Sequence, residues 1–154
     1  MTNRVLANRL LIGFFAGCVA VLLFHQPALA LLKQIGLTQA TIYPMKATAP
    51  LGVPQVLSAT FWGGVWGIVF ALVARRFPGG GRHWLYAFLF GAIFPTLVAW
   101  FIVAPIKGAA PAGGWDVYRM LTGFIVNGAW GLGTAILMAL MLRTDMRRRW
   151  RLTS

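Results

Sequence analysis

Four apolar runs separated by basic or proline-rich segments set the pattern of the chain. The first covers about residues 10–32, entered through Arg9 and left through Lys33. The second covers 56–74 and stops at Arg75 and Arg76; the third covers 84–103 and ends near Pro105; the fourth covers 120–142 and stops at Arg143. Each is long enough, at about 1.5 Å per residue, to cross a hydrocarbon core of about 30 Å. Lipid offers the backbone no hydrogen-bond partners, so each run is expected to be a helix. The predicted fold is an all-α integral membrane protein. It is a single membrane domain over 1–154 with four transmembrane helices in a bundle, built as two tandem helical hairpins, with an outer loop over 33–55.

Composition points the same way. The chain is 59% hydrophobic and only 10% charged, against about a quarter charged in a soluble domain. The charge is also lopsided, with fourteen Lys and Arg against two acids. Arg4, Arg9, Arg75, Arg76, Arg82, Arg143, Arg147, Arg148, Arg149 and Arg151 fall on one side of the predicted helices. The other side holds only Lys33, Lys46, Lys107 and Arg119. By the positive-inside rule both termini are expected in the cytoplasm. The rule accounts for the net charge without nucleic acid, which is not an expected partner. Arg75, Arg76 and Arg82 with Arg147, Arg148, Arg149 and Arg151 form a basic skirt suited to anionic lipid headgroups, at about 1 kcal/mol per residue near the surface. The basic start, apolar core and "ALA" at 28–30 resemble a cleavable secretory signal. Removing helix 1 would leave an odd helix, so it is expected to be retained. Cys18, the single cysteine, has no partner for a disulfide.

The two halves resemble each other. "GVWG" at Gly64–Gly67 matches "GAWG" at Gly128–Gly131, "GFFAG" in the first run matches "FLFG" in the third, and Pro27 and Pro105 stand at equivalent far ends. Small residues recur at i, i+4 spacing and so share one helix face. They are Gly13 and Gly17 in the first run, Ala59, Gly63, Gly67 and Ala71 in the second. The third has Ala87, Gly91, Pro95 and Ala99, and the fourth has Gly123, Asn127, Gly131, Ala135 and Ala139. Such stripes let backbones approach closely in lipid. They are expected to be packing seams inside the bundle, Gly13, Gly17, Gly63, Gly67, Gly91 and Gly131 foremost. A sharper alternative turns one stripe, that of the second run, outward to dock another protein.

Candidate chemistry is sparse. No acid lies inside a run, which argues against a proton-coupled carrier built on a membrane carboxylate. A haem held by two histidines would need a second one at the depth of His25, and His83 is at the opposite end. "RRFPGGGRHW" at 75–84 lacks the Gly-Lys-Ser/Thr ending of a phosphate loop and reads as a tight turn. No catalytic, cofactor-binding or metal-binding residue is predicted. The possible polar site is His25, Gln26 and Asn127. The preferred reading of His25 and Gln26 is architectural. Pro27 lacks an N–H and its ring clashes with the Leu23 carbonyl, so the helix is expected to kink or break there, with His25 and Gln26 supplying donors to freed carbonyls. Asn127 is expected to make an interhelical hydrogen bond. The outer loop, stiffened by Pro44, Pro50 and Pro54, carries Tyr43 and Met45 and could form a contact surface; loops this long tend to be functional or disordered.

At "FHQ" and "TAPLGVPQVLSATFWGGVWG" the chain resembles an uncharacterised family of small four-helix bacterial inner-membrane proteins with FHQ and GVP…FWGG.WG patterns. The resemblance covers mainly the first hairpin. It implies the four-helix fold and the bacterial inner membrane, and it transfers no catalytic residue. The expected function is non-catalytic: an accessory or stabilising subunit of a larger membrane complex, with another membrane protein or a second copy as partner. The alternative is a small oligomeric channel or transporter lined by His25, Gln26 and Asn127.

Overall fold

The computed structural model describes residues 3–49 and 51–153, with side chains described as far as Arg143 in the last helix. Arg147, Arg148, Arg149, Trp150 and Arg151 therefore lie outside the described side chains. Among the described residues four helices are long and apolar enough to cross a membrane: α1 (Asn3–Gln34), α2 (Gln55–Arg76), α3 (Gly81–Ile106) and α4, whose apolar part is Val117–Arg143 within Val117–Thr153. Between α1 and α2 two short strands, β1 (Ala47–Thr48) and β2 (Val53–Pro54), pair antiparallel. The helices extend beyond the apolar runs at most ends. Helix α1 starts seven residues before its run, through a polar turn containing Arg4 and Arg9, and ends at Gln34 rather than in a loop beginning at 33.

Helix α1 packs antiparallel on α2, and α3 antiparallel on α4, through the small-residue stripes. A Cβ on Gly13 would lie 2.6 Å from the carbonyl oxygen of Gly67, and one on Gly63 would lie 2.9 Å from that of Gly17. A Cβ on Gly91 would lie 2.9 Å from Cα of Gly131, and one on Gly131 would run into the Ala87 carbonyl. No side chain fits at these crossings, so the backbones touch. Gly63 and Gly67 are buried in this seam, so the stripe of α2 faces α1 and not outward. The two seams match contact by contact: Gly13 on Gly67 corresponds to Ala87 on Gly131, and Gly17 on Gly63 to Gly91 on Asn127. The flanking aromatics follow, with the Phe14 ring against Gly64 and the Phe88 ring against Gly128.

The pairs join through their large residues. Trp130 of α4 is 3% exposed, and its indole N–H donates to the Gly17 carbonyl at 2.9 Å. Beside it the Phe24 ring covers Gly133. Trp66 of α2, at the matching repeat position, instead meets the ring of Phe90 in α3, which also stacks edge-on with Phe70 at 5.4 Å. Arg9 closes the other end of the first pair. Its Nε donates to the Ala71 carbonyl at 2.9 Å, placing a cation on the last turns of α2, where backbone carbonyls run out of partners and the helix dipole is negative.

The interior is small and the exterior is large. Gly13, Ala16, Gly17, Ala20, Gly63, Gly67 and Ala71 are buried. Leu11, Phe15, Leu23, Leu31, Phe61, Leu85, Phe94 and Phe101 are exposed. Helix α4 starts on a side-chain cap: the Arg119 N–H donates to Asp116 Oδ1 at 2.9 Å, the usual way a short acid satisfies a free first-turn donor.

Candidate functional site

Pro27 does not end α1. The helix widens over Val21–His25 into a π-helical turn and continues to Gln34. The same device recurs in the second half, where Ala99–Val103 is π-helical ahead of Ala104 and Pro105. In each case the residue before the proline donates its N–H five residues back, Gln26 to Val21 and Ala104 to Ala99. This register decides which carbonyl is left over. In an α-helix Leu22 would accept from Gln26, but that N–H is engaged one residue earlier. The donor one further on would be Pro27, which has none. Leu22 is thus stranded, one residue before the Leu23 carbonyl that the Pro27 ring opposes.

The missing donor comes from the loop between α1 and α2. The Tyr43 hydroxyl donates to the Leu22 carbonyl at 2.7 Å, and the Tyr43 backbone N–H donates to Gln26 Oε1, also at 2.7 Å. This corrects the expectation that His25 and Gln26 would supply the donors: Gln26 accepts, and His25 takes no part. Gln26 is 3% exposed, so its amide oxygen is satisfied inside the structure, as burial requires. To make both contacts Tyr43 sits at φ +46°, a left-handed conformation uncommon for a bulky residue and sustained only where surroundings over-determine it.

The next residues tie the loop to α2. The first free N–H groups of that helix have no side-chain cap; instead Gln55 donates to the Lys46 carbonyl at 2.9 Å and Val56 to the Pro44 carbonyl at 3.0 Å. Beyond them β1 and β2 close over Gly52, at φ +68°, with Thr48 Oγ1 donating to the Val53 carbonyl at 2.8 Å. Residues 43–46 therefore form a strap from the π-turn of α1 to the start of α2.

Under the strap lies a cavity of about 320 Å³, lined by His25, Gln26 and Leu29 of α1, by Ala40, Thr41, Pro44, Met45 and Lys46 of the loop, and by Gln55, Val56 and Ala59 of α2. His25 Nδ1 is buried with no hydrogen-bond partner. A smaller cavity of about 200 Å³ lies at the opposite end, between Arg9, Phe70, His83 and Leu142 among others.

The structure brings His25 and Gln26 together but not Asn127. The Asn127 amide donates from Nδ2 to Thr96 Oγ1 at 2.9 Å, within the second pair, and Thr96 is fully buried. Asn127 occupies the repeat position of Gly63, so the second seam carries a hydrogen bond where the first carries bare backbone. Gly13, Gly17, Gly63, Gly67, Gly91 and Gly131 all lie in the seams. Arg75, Arg76 and Arg82 are exposed around the turn between α2 and α3. Tyr43 is the functional residue that sequence reasoning placed only generally, as part of a stiff loop. Pro27 signals that α1 lacks a donor, but not which carbonyl is left over or which loop residue reaches it.

The comparisons supply no homologue: no family model, curated protein or solved structure matches the chain.

Proposed function

We propose that the protein is a multi-pass protein of the bacterial inner membrane, with both termini cytoplasmic, that acts without catalysis as an accessory or stabilising subunit of a larger membrane complex. The inverted distribution of side chains supports the membrane setting. In water, leaving Leu11, Phe15, Phe61, Phe94 and Phe101 exposed would forgo about 25 cal/mol for each Å² left wet, while lipid makes the same surface favourable. The distribution of basic residues supports the orientation.

The single observation that carries the accessory role is the strapped outer loop. Four hydrogen bonds hold residues 43–46, and the adjoining hairpin presents Leu51 at 83% exposure beside exposed Met45 and Val53. A pre-shaped apolar tip loses little conformational entropy when a partner covers it. A channel lined by His25, Gln26 and Asn127 has less support, because Asn127 is engaged with Thr96 and Gln26 with Tyr43.

Extraction into polymer-bounded native nanodiscs, followed by sizing and mass spectrometry, tests the reading. The expected result is a co-purifying membrane protein that is lost from the Leu51→Arg variant. A monodisperse monomer with no co-purifying protein would overturn it.

A further inference from the structure

We propose that the cavity beneath the outer strap binds the anionic phosphate head of an amphiphile, with Lys46 supplying charge and His25 a hydrogen bond. The inference rests on the membrane setting above, but not on any partner protein.

The cavity is mixed in chemistry. Its polar residues are Lys46 and Thr41 of the loop with His25 and Gln55 of the helices, and its apolar ones include Leu29, Met45 and Val56. No carboxylate is among its lining residues, and Lys46 is the one Lys or Arg there. His25 Nδ1 lies buried without a partner, a condition that native structures normally relieve with a ligand, ion or water. A singly cationic lining that mixes donors with apolar side chains fits a ligand that carries an acceptor-bearing anion and hydrocarbon together. An uncharged polar solute would leave the leucine, methionine and valine unused, and a pure hydrocarbon would leave the lysine and histidine unpaired. The position agrees: the cavity lies where α1 leaves its apolar run and α2 enters its own, at headgroup depth in the proposed bilayer. The volume of about 320 Å³ suits one head and the first carbons of a chain, on the scale of small-ligand sites. The strap fixes the loop side before a ligand arrives, so binding need not order it.

The same phosphate chemistry could come from a membrane phospholipid or from a soluble phosphoryl compound, and native mass spectrometry of detergent-purified full-length protein separates them. Phosphatidylglycerol, phosphatidylcholine and inorganic phosphate are the probes, and Lys46→Gln, His25→Gln and Lys107→Gln the variants, each checked for an unchanged melting temperature. Phosphatidylglycerol is expected to bind at least tenfold more tightly than the zwitterionic lipid. That affinity should fall about tenfold in Lys46→Gln, fall measurably in His25→Gln and hold in Lys107→Gln, whose lysine is outside the cavity. Displacement of the lipid by inorganic phosphate alone would support the phosphate site and name a soluble source. Equal binding of the two lipids, equal loss in Lys46→Gln and Lys107→Gln, or no adduct on folded protein would each overturn the proposal. A chain that fractionates as soluble without detergent would instead overturn the membrane reading.

Discussion

The Tyr43 hydroxyl stands 2.7 Å from the carbonyl oxygen of Leu22, a carbonyl that the π-turn and Pro27 together leave without its helical donors. A loop residue thus completes a helix twenty-one positions earlier. The relationship makes Pro27 and Tyr43 energetically dependent on one another.

Replacing Tyr43 with Phe removes the donor and is expected to destabilise the protein by about 1 kcal/mol. In Pro27→Ala the restored N–H gives Leu22 a backbone partner, so the same Tyr43→Phe change should cost distinctly less. A double-mutant cycle read by thermal unfolding in detergent measures the difference as a coupling energy. Additive effects of the two changes would show that the hydroxyl and the missing N–H are unrelated.

The glycine seams should be intolerant in proportion to their contacts. Gly13→Ala or Gly131→Ala pushes a methyl into opposing backbone and is expected to cost about 1–3 kcal/mol, as overpacking does elsewhere. Gly79→Ala, which meets nothing within 4 Å, should stay within about 0.5 kcal/mol. Melting temperatures of the three variants in one detergent check the ranking.

Orientation can be read by labelling intact cells with a membrane-impermeant maleimide. In a Cys18→Ser background, Leu51→Cys is expected to react at once and Gly79→Cys only after the cells are permeabilised. The reverse order would place the termini outside.

How much of this was legible in the sequence depends on the range of the interaction. The apolar runs locate the middle of each helix, because hydropathy is a local property; their ends escape, since the Asn3–Arg9 turn of α1 is polar yet helical. The i, i+4 spacing of Gly63 and Gly67 marks the face where backbones meet, because helical periodicity alone determines it. Pro27 announces a disturbance. The carbonyl it strands was not legible, because that depends on whether the turn before it is α or π, a choice made by packing. The Asn127 bond to Thr96 and the Trp130 bond to Gly17 name partners on other helices, which one-dimensional pattern does not carry. The cavity at His25 was invisible for the same reason: its walls come from three segments, and the strap that roofs it depends on Tyr43.

The Trp130–Gly17 hydrogen bond spans 113 residues, while each glycine seam joins neighbouring helices in one half of the chain. Each half can therefore close on itself as it is synthesised, and the indole clasp forms only when the last helix arrives. Contacts so distant in sequence form late, since the intervening chain must be gathered first. The chain then behaves as two prefabricated parts joined by a final click. Fragments 1–79 and 80–154, synthesised separately in one cell, are expected to find each other and co-purify. Trp130→Ala is expected to lower the yield of that co-purification while leaving each part intact, with the contacts of Phe90 to Trp66 and Phe70 still in place.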